Sequence, residues 1–503
     1  MTGLARTGLT IPQRVELGAA AIAEQGRWGA VSSLAEDFGT TRDTVYSARE
    51  QATEVLTRHF EQAPRTRAAL TVTEALVMRA IVALRVVAPN SLRAIQGLIP
   101  VLYPGVSVSF GYVQGVVAQA ERRAAKFNRS VDLSGVDALA VDEMFSQGKP
   151  ALAGVDLDFG FLAALELRES RSGDDWQEVL RRLADDQHLH PRLFVKDAAQ
   201  GIAKGISAVF PQAEQRDDVF HALYEMNKAS CRFESAAYKA LEAQFAIERR
   251  ITELPRGKKS VTARLKSLRG NLTRARAISD RRIDRYDDFR RACSAAREAM
   301  QIVDLESGSL RPPERMRRAI KAAAARMREL DHPLATRIGN YIANRADGLV
   351  LYAEEMHARL SELAEKHGSE VVRLAALVVR LSAEARRTRP WQDSRHAGPL
   401  VVAWSMLHEL PDGAAVLAAV EHIFVHRHRA SSAIEGFNAA LRPHLYVHKR
   451  ATQGFLELFR AYFNLRRRQW GRHKGTAPYE LLTGTRVDDW LTMLGYPLPA
   501  QIH

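Results

Sequence analysis

Three short apolar runs separated by turn residues constrain the fold of this chain more than any other feature. They are DALAVDEMF (137–145), PALAGVDLDFG (150–160) and FLAALELRES (161–170). Such runs predict β-strands, and their close succession predicts an antiparallel meander. Next come an amphipathic stretch, DDWQEVLRRLADD, and a buried run, RLFVKD, followed by AAQGIAKGISAVF and AEQRDDVF. These predict helix, strand, helix and strand, which gives a five-stranded α/β unit.

Long segments rich in Ala, Leu, Arg and Glu surround this unit and predict a mostly helical protein. With 503 residues the chain is too long for one hydrophobic core, so we expect several domains. No strand pattern appears between about residues 222 and 425. Val261, Leu265 and Leu268 mark one apolar helix face there.

Residues 12 to 60 predict a compact helical unit near the N-terminus. An apolar helix face ends at Gly39, and Thr40 or Thr41 caps the helix that follows. This spacing is typical of a helix-turn-helix, whose second helix presents side chains to a DNA groove. Those side chains are Arg42, Thr44, Tyr46, Ser47 and Arg49. An ordinary helical hairpin is the alternative that fits the same pattern.

A second helical pair is predicted by NSLRAIQGLIPVLYPGVSVSFGYVQGVVAQAERRAAKF (90–127). One helix runs from Ser91 to about Ile99, YPGVS forms a turn, and another helix begins near Ser109. The pair is either a second DNA-binding unit or a plain helical connector.

The overall charge of the chain indicates the kind of partner it has. Lys and Arg number 72 against 58 Asp and Glu, a formal charge of +14. A basic protein gains free energy by displacing counterions from phosphates, so a polyanionic partner is favoured. The two cysteines, Cys231 and Cys293, predict neither a disulfide framework nor a zinc finger. No apolar run approaches the length of a membrane span, so we expect an intracellular protein without a membrane partner.

Acidic residues lie where a metal site could be built on the predicted strands. Asp142 is expected at the end of the first strand and Asp197 at the end of the fourth. Two such acids on neighbouring strands repel each other, and a divalent cation with a preference for hard oxygen ligands, Mg²⁺ or Mn²⁺, relieves that repulsion. Glu435, near the start of a helical pattern covering 431 to 468, is the candidate third ligand. The alternatives are acids that cap strand ends and an acid that complements the helix dipole.

The motifs AVDEMF, LFVKDAAQGI and SSAIEGFNAALR, in this order, resemble the ribonuclease H-like core of DDE-type transposases. The stretch DVFH, from Asp218 to His221, resembles the C/D-x-x-H signature of Mutator-like, hAT-like and related bacterial insertion-sequence transposases. In those families a large helical insertion separates that signature from the final Glu. GTAPYELLTG resembles a tail motif that follows the last helix in transposases and integrases.

The resemblance implies a multidomain protein, mostly α. Helix-turn-helix units come first, and an α/β ribonuclease H-like core with a mixed five-stranded sheet is interrupted by a large all-α insertion. The resemblance covers about 135 to 485. The expected domains are 1–65 (helix-turn-helix, DNA-binding), 66–130 (helical, DNA-binding or linker), 131–222 (first part of the core), 223–425 (insertion) and 426–503 (final catalytic helix and tail).

The resemblance also implies the roles of particular residues. Asp142, Asp197 and Glu435 would be the catalytic triad that holds two Mg²⁺ (or Mn²⁺) ions, and Asp218 and His221 an accessory pair. The partners would be double-stranded DNA, as transposon ends and target, and further copies of the chain, at least a dimer on DNA. The expected location is the bacterial cytoplasm, associated with the nucleoid. We expect the three acids to converge at one edge of the sheet.

Other residues compete for these roles or border the site. Glu143, Asp156 and Asp158 are alternative first ligands, although Asp156 lies on the second strand, where the family has no catalytic acid. Asp217 competes with Asp218. Asn438 is expected to face the site. Cations expected to border DNA phosphates are Arg442, His444, His448, Lys449, Arg450, Arg466, Arg467 and Arg468.

The function predicted from these features is DNA transposition: binding of terminal inverted repeats, hydrolytic strand cleavage and strand transfer. A non-catalytic, transposase-derived DNA-binding regulator is one alternative, and retention of all three acids argues against it. A structure-selective nuclease of the same fold is another, and the two helix-turn-helix candidates favour an end-binding protein over it.

Overall fold

The computed structural model of the chain describes residues 8–60, 72–254, 259–447 and 450–499, with backbone only for 259–261. Two compact units are present. One comprises Met1–Thr73 with Pro499–His503, and the other Glu74–Leu498. Most described residues are helical, and one mixed five-stranded sheet lies in the larger unit.

The N-terminal unit contains three helices around a small apolar core. They are α1 (Ile11–Ala23), α2 (Ala30–Asp37) and α3 (Arg42–Phe60). Leu17, Ala35 and Val45 are buried between them. Gly39 has a φ of 58°, a left-handed conformation that favours glycine, and it turns the chain between α2 and α3. Thr41 Oγ1 accepts a hydrogen bond from Thr44 N at 3.3 Å, which makes Thr41 the cap of α3.

Three further helices precede the sheet in the larger unit: α4 (Glu74–Val87), α5 (Leu92–Leu102) and α6 (Phe110–Ser130). Ser91 caps α5 by accepting a hydrogen bond from Ala94 N at 3.1 Å. Ser109 caps α6 in the same way, from Tyr112 N at 3.0 Å. Both helix starts agree with the sequence prediction, because a serine hydroxyl satisfies an amide that has no partner within the helix.

The sheet has the element order predicted from the sequence. Its strands are β1 (Ala138–Ser146), β2 (Lys149–Asp156), β3 (Leu162–Leu167), β4 (Leu193–Lys196) and β5 (Glu214–Asp217), with α7 (Gly173–Gln187) and α8 (Gln200–Val209) between β3, β4 and β5. The spatial order is β3-β2-β1-β4-β5. Strands β1, β2 and β3 form the antiparallel meander, whereas β4 and β5 run parallel to β1. Leu139, Phe194 and the fully buried Trp176 of α7 belong to one core beneath the sheet.

Strand β1 continues beyond Asp142, and this corrects the predicted placement of that residue. Asp142 is not at the end of β1, because the strand continues to Ser146 in a hairpin with β2. The parallel pairing with β4 does end beside it, at Val141 and Lys196. The apolar run stops at Asp142 because β1 leaves the shared core there.

A helical region with its own core follows β5. Its helices are α9 (Val219–Thr252), α10 (Lys259–Ala299), α11 (Pro313–Arg328), α12 (Pro333–Ala343), α13 (Leu351–His367), α14 (Ser369–Ala385), α15 (Ala397–Glu409) and α16 (Gly413–Val425), with a 3-10 turn at Trp391–Asp393. A single apolar cluster extends from Val219 to Phe424. Val219 N donates to Arg429 O at 3.0 Å, so the chain returns to the sheet beside the point where it left.

The last segment forms two helices where the sequence pattern from 431 to 468 predicted one. They are α17 (Ser432–Val447) and α18 (Gln453–Leu465), and α19 (Pro478–Thr483) and α20 (Trp490–Met493) follow. Thr452 caps α18 by accepting from Phe455 N at 3.1 Å, so a new helix begins there. The apolar periodicity of the two helices is continuous in sequence, and it concealed the break. Within the described ranges, no helix combines the length and the apolar character that crossing a membrane requires.

Candidate functional site

Asp142 and Asp197 are neighbours across two parallel strands. Val141 of β1 pairs with Lys196 of β4, and each aspartate directly follows its member of that pair. Adjacent strands lie about 4.8 Å apart, and equivalent positions point to the same face. The two carboxylates therefore project side by side at the carboxyl end of the parallel pairing.

Glu435 belongs to the same group of acids. It is half-buried in the first turn of α17 and lines, with Asp142, a cavity of about 660 Å³. One turn further on, Asn438 Nδ2 donates to Asp142 Oδ2 at 2.9 Å. Residues three apart share a helix face, so this bond turns Glu435 towards Asp142 as well. The structure thus places Asn438 in contact with Asp142, and Asp197 and Glu435 close enough to Asp142 to affect its pKa.

The electrostatics of Asp142 reflect this grouping. The pKa of Asp142 is raised to about 6, chiefly by burial and in smaller part by the negative charges of Asp197 and Glu435. Hydrogen bonds from Asn438 and from Glu143 N, the latter at 2.8 Å, oppose the increase in pKa. Asp142 is therefore a carboxylate whose charge costs free energy unless a cation compensates it.

Asp218 holds the start of α17 against the start of α9. Its carboxylate caps α9 by accepting from Phe220 N at 2.7 Å. It also accepts hydrogen bonds from Ser431 N, at 3.3 Å, and from Ser431 Oγ. Burial raises the pKa of Asp218, and the bonds from Ser431 and Phe220 counteract this. The carboxylate of Asp218 is used for positioning α17, because its described partners all belong to the two helix starts.

His221, the other member of the predicted accessory pair, lines the cavity of Asp142 and Glu435 and is half-buried. Its ring lies 6.2 Å from that of Tyr224, centroid to centroid. Asp217, which competed with Asp218, forms an ion pair with Lys196 at 3.4 Å. The structure therefore separates the roles of the two aspartates: Asp217 neutralises a lysine, and Asp218 joins two helices.

The competing first ligands have other partners. Glu143 accepts from Trp176 Nε1 at 3.1 Å and pairs with Arg171 at 3.2 Å, although it also lines the cavity. Asp156 pairs with Leu139 in the register, three residues before Asp142, which places it about 10 Å away along the strand. It is fully buried, accepts bonds from backbone amides of the β2–β3 turn, and burial raises its pKa to about 7.

Asp158 lies in that same turn, between β2 and β3. Its Oδ1 is 3.4 Å from His428 Nε2 and 3.7 Å from His426 Nε2. Its position in the β2–β3 turn, two residues after Asp156, keeps it apart from the group of Asp142, Asp197 and Glu435.

The donor set of the cavity fits a hard divalent cation. Carboxylates and amide oxygens are the ligands that Mg²⁺ and Mn²⁺ prefer. Asn438 Oδ1 is buried and has no hydrogen-bond partner among the described residues. Across the described ranges, however, no three His, Cys, Asp or Glu side chains are close enough together to hold an ion. Asp197 and Glu435 are close enough to Asp142 to raise its pKa, but the three acids do not form a ligand cluster in this structure.

The cations expected near DNA fall into separate groups. Arg442 is exposed and lines the acid-lined cavity, and Arg450 is exposed beyond the end of α17. His448 and Lys449 lie outside the described residues. His444 does not border this cavity as a cation. It is buried against Phe455 and Phe459, and burial lowers its pKa to about 4.

The three arginines after α18 line a different cavity. Arg466 lies over the rings of Tyr462 and Phe463. Arg467 forms an ion pair with Glu480 at 2.7 Å and donates to Val487 O, whereas Arg468 donates to Gly160 O at 3.0 Å. The prediction had placed them along the helix of Glu435. Because α17 and α18 are separate helices, these arginines do not lie on the helix of Glu435.

The predicted DNA-reading side chains of the N-terminal unit project from α3. Arg42, Tyr46 and Ser47 are exposed, whereas Thr44 and Arg49 are half-buried. The Arg49 guanidinium lies 5.2 Å from the centre of the Tyr46 ring. Val45 faces the opposite way, into the core of the unit. One side of α3 is therefore available to a partner.

Sequence reasoning missed two features of the larger unit. The bond between Ser431 and Asp218 has no local signal, because the two residues are 213 positions apart. The second cavity contains Trp470, and the sequence RRRQWGRHK did carry a signal, an aromatic residue among cations, that was not used. Comparison of the chain with models of protein families finds no match, and comparison with curated proteins also finds none.

Proposed function

We propose that this protein is a DDE-type DNA transposase with a ribonuclease H-like catalytic core. The observation that supports this most directly is the position of Asp142 and Asp197, each directly after the last residue pair of the parallel strands β1 and β4, with Glu435 on the helix that is bonded to Asp142 through Asn438. The strand order β3-β2-β1-β4-β5 and the return of a large helical excursion beside its starting point are consistent with such a core.

Each residue of the site would have a particular role. Asp142, Asp197 and Glu435 would hold two Mg²⁺ (or Mn²⁺) ions. When bound, such ions activate a water or a 3′-hydroxyl and stabilise the leaving oxygen of a phosphodiester. Asn438 fixes the orientation of the Asp142 carboxylate. Asp218 and Ser431 fix the start of α17, and Arg442 is placed to contact a DNA phosphate at the border of the cavity.

The remaining parts of the proposal concern binding and assembly. Helices α2 and α3 would act as a helix-turn-helix that recognises the terminal inverted repeats. The net charge of +14 supports contact with DNA phosphates. Because two transposon ends must be joined in one complex, the active form would contain at least two copies of the chain.

The proposal predicts metal-dependent cleavage that requires all three acids. Double-stranded DNA carrying the sequences that flank the gene is incubated with the protein, with and without Mg²⁺ or Mn²⁺, and the strands are resolved on a denaturing gel. The isosteric changes Asp142→Asn, Asp197→Asn and Glu435→Gln should each reduce cleavage at least about 1000-fold, because each removes a metal ligand. DNA binding should remain within about twofold of the unchanged protein.

Asp185→Asn is the matched control, because Asp185 is an exposed carboxylate on α7 and does not line the cavity. Full cleavage by one of the three site variants would remove that residue from the site. Binding of the repeats without cleavage would favour a DNA-binding regulator instead. Cleavage of branched DNA without any preference for the repeats would favour a structure-selective nuclease.

A further inference from the structure

Helix α17 separates two cavities of opposite character. Glu435, Asn438 and Arg442 line the acid-lined cavity described above, whereas Ala433 and Phe437 line a second cavity of about 1660 Å³. Successive residues are 100° apart around a helix, so these two sets lie on opposite sides of α17. We call the larger one the basic cavity, because seven arginines and only four carboxylates line it.

Six arginines of the basic cavity form no ion pair with any described carboxylate, and only Arg467 has such a partner. Neutral groups hold three of the six. Arg429 donates to Gln301 Oε1 at 3.1 Å, Arg468 to Gly160 O at 3.0 Å, and Arg472 approaches His426 Nε2 at 2.8 Å. The full set is Arg386, Arg427, Arg429, Arg466, Arg468 and Arg472.

The free-energy cost of this arrangement indicates a missing negative charge. Arg427 is half-buried, and burial together with the charge of Arg429 lowers its pKa to about 10. Like charges held together without ion-pair partners repel one another, and the repulsion is relieved when a polyanion enters. Phosphodiesters suit the planar guanidinium especially well, because they accept two parallel hydrogen bonds.

Trp470 adds a second kind of contact at the same place. It lines the basic cavity between Arg468 and Arg472 in sequence, and 77% of its surface is exposed. An exposed indole among cations is a platform for base stacking, and stacking on it requires a base that is not paired within a duplex. The combination is typical of surfaces that bind single strands of nucleic acid.

We infer that the basic cavity binds an unpaired DNA strand, with its phosphates on the arginines and one base stacked on Trp470. The identity of the polyanion as DNA rests on the proposed function. The thickness of α17, about 10–12 Å, separates this strand from the acid-lined cavity.

The inference is tested by binding of a fluorescein-labelled oligothymidylate of about 20 nucleotides, followed by fluorescence anisotropy on the full chain in EDTA. Trp470→Ala should weaken binding of the oligothymidylate about fivefold to 100-fold, which is the typical effect of removing one stacking platform. Because Trp470 is exposed, its loss should leave the thermal unfolding of the protein unchanged. Trp404→Ala is the matched control, because Trp404 is also exposed, at 51%, and lies on α15 outside the cavity.

The arginines are tested through the salt dependence of the same binding. Arg472→Gln should reduce the slope of log affinity against log salt by about 0.7, the value for one phosphate contact to a single strand. Arg326→Gln, an exposed arginine on α11 away from the cavity, should leave the slope unchanged. Equal affinities of Trp470→Ala, Arg472→Gln and the unchanged protein would overturn the inference, as would an unchanged protein that does not bind the oligothymidylate.

The test is independent of catalysis, because it uses neither a divalent metal nor terminal repeats. If repeats are cleaved and Trp470→Ala binds the single strand normally, the proposed function stands and the basic cavity has no such role. If nothing is cleaved but Trp470→Ala loses binding, the cavity binds single strands and the transposase proposal fails.

Discussion

At the scale of single residues, the environment decides the role of a side chain more than its type does. Asp142 and Asp156 both flank apolar strand sequence, yet Asp142 accepts a hydrogen bond from Asn438 and is affected by the charges of two further acids, whereas Asp156 caps a turn. His444 illustrates the same point. It lies in a sequence rich in cations, but the aromatic rings around it keep it neutral.

The burial of His444 predicts a pH dependence of stability. The folded protein binds the proton of His444 with a pKa of about 4, below the ordinary 6.5, so the unfolded chain binds more protons between these values. The stabilising contribution is complete above pH 6.5 and is lost as the pH falls towards 4. The full contribution of His444 to the free energy of unfolding is on the order of 3 kcal/mol. His444→Phe should therefore flatten the dependence of the unfolding temperature on pH between 6.5 and 4.

The control is the exposed histidine His408 on α15. His408→Phe should leave the dependence of the unfolding temperature on pH unchanged. Thermal unfolding followed by circular dichroism, at a series of pH values, gives both curves. If His444→Phe retains the full loss of stability in acid, protonation of His444 is not its cause.

At the scale of elements, the position of α17 depends on its contacts with other elements. Ser431, directly before α17, bonds to Asp218 at the start of α9, and Asn438 bonds to Asp142 on β1. Ala433 and Phe437 on the opposite side line the basic cavity. A small displacement of α17 therefore alters the relation of Glu435 to the strand acids and the shape of the second cavity together.

The bond between Ser431 and Asp218 predicts a positioning role that is separable from metal binding. Ser431→Ala leaves the buried Asp218 carboxylate with one fewer donor, which should cost about 1–3 kcal/mol of unfolding free energy. Cleavage should slow about tenfold or more at saturating metal, because α17 is less well fixed. Ser431→Thr keeps the hydroxyl and should restore most of the rate.

The readouts are cleavage rate and metal concentration for half-maximal rate. A positioning role lowers the rate of both Ser431→Ala and Asp218→Asn while leaving the metal requirement within about twofold. If Asp218→Asn instead shifts the metal requirement strongly, Asp218 is a ligand and its assignment to helix positioning is wrong.

At the scale of the whole molecule, the two compact units suit different tasks. The N-terminal unit carries exposed side chains on α3, and the larger unit carries both cavities. The proposed division is recognition of sequence by the first and contact with reacting strands by the second. A substitution in one unit can therefore test the task proposed for that unit alone.

Arg42→Ala in the full chain should weaken binding to the terminal repeats about fivefold to 150-fold, since one base contact typically contributes about 1–3 kcal/mol. Binding to unrelated duplex DNA should change much less, and single-strand binding should not change. Competition between labelled repeat and unlabelled unrelated DNA gives the ratio of the affinities for the two DNAs directly. Arg27→Ala, an arginine before α2 in ion pair with Glu24, is the control. An unchanged ratio for Arg42→Ala would place specificity outside α3.

Local features were predictable because their causes act over a few residues. The succession of strands and helices along the chain follows from apolar runs and turns, and the starts of α5 and α6 follow from Ser91 and Ser109, whose hydroxyls bond three residues ahead. The candidate acids were found in the same way, since Asp142 and Asp197 end apolar strand patterns. The break at Thr452 was missed, because two consecutive amphipathic helices have the same periodicity as one long helix.

The sequence by itself determined the elements of this protein, its positive charge and the residue types available for chemistry. Only the tertiary structure decided which of them meet. Asn438 bonds to Asp142 across 296 positions, and Gly160 accepts from Arg468 across 308. Contacts of this kind depend on how the whole chain packs, and no local pattern encodes them. The pairing of an acid-lined with a basic cavity on the two sides of α17 is therefore a property of the folded molecule, because it arises from the way the sheet, the helical region and the C-terminal helices close around one helix.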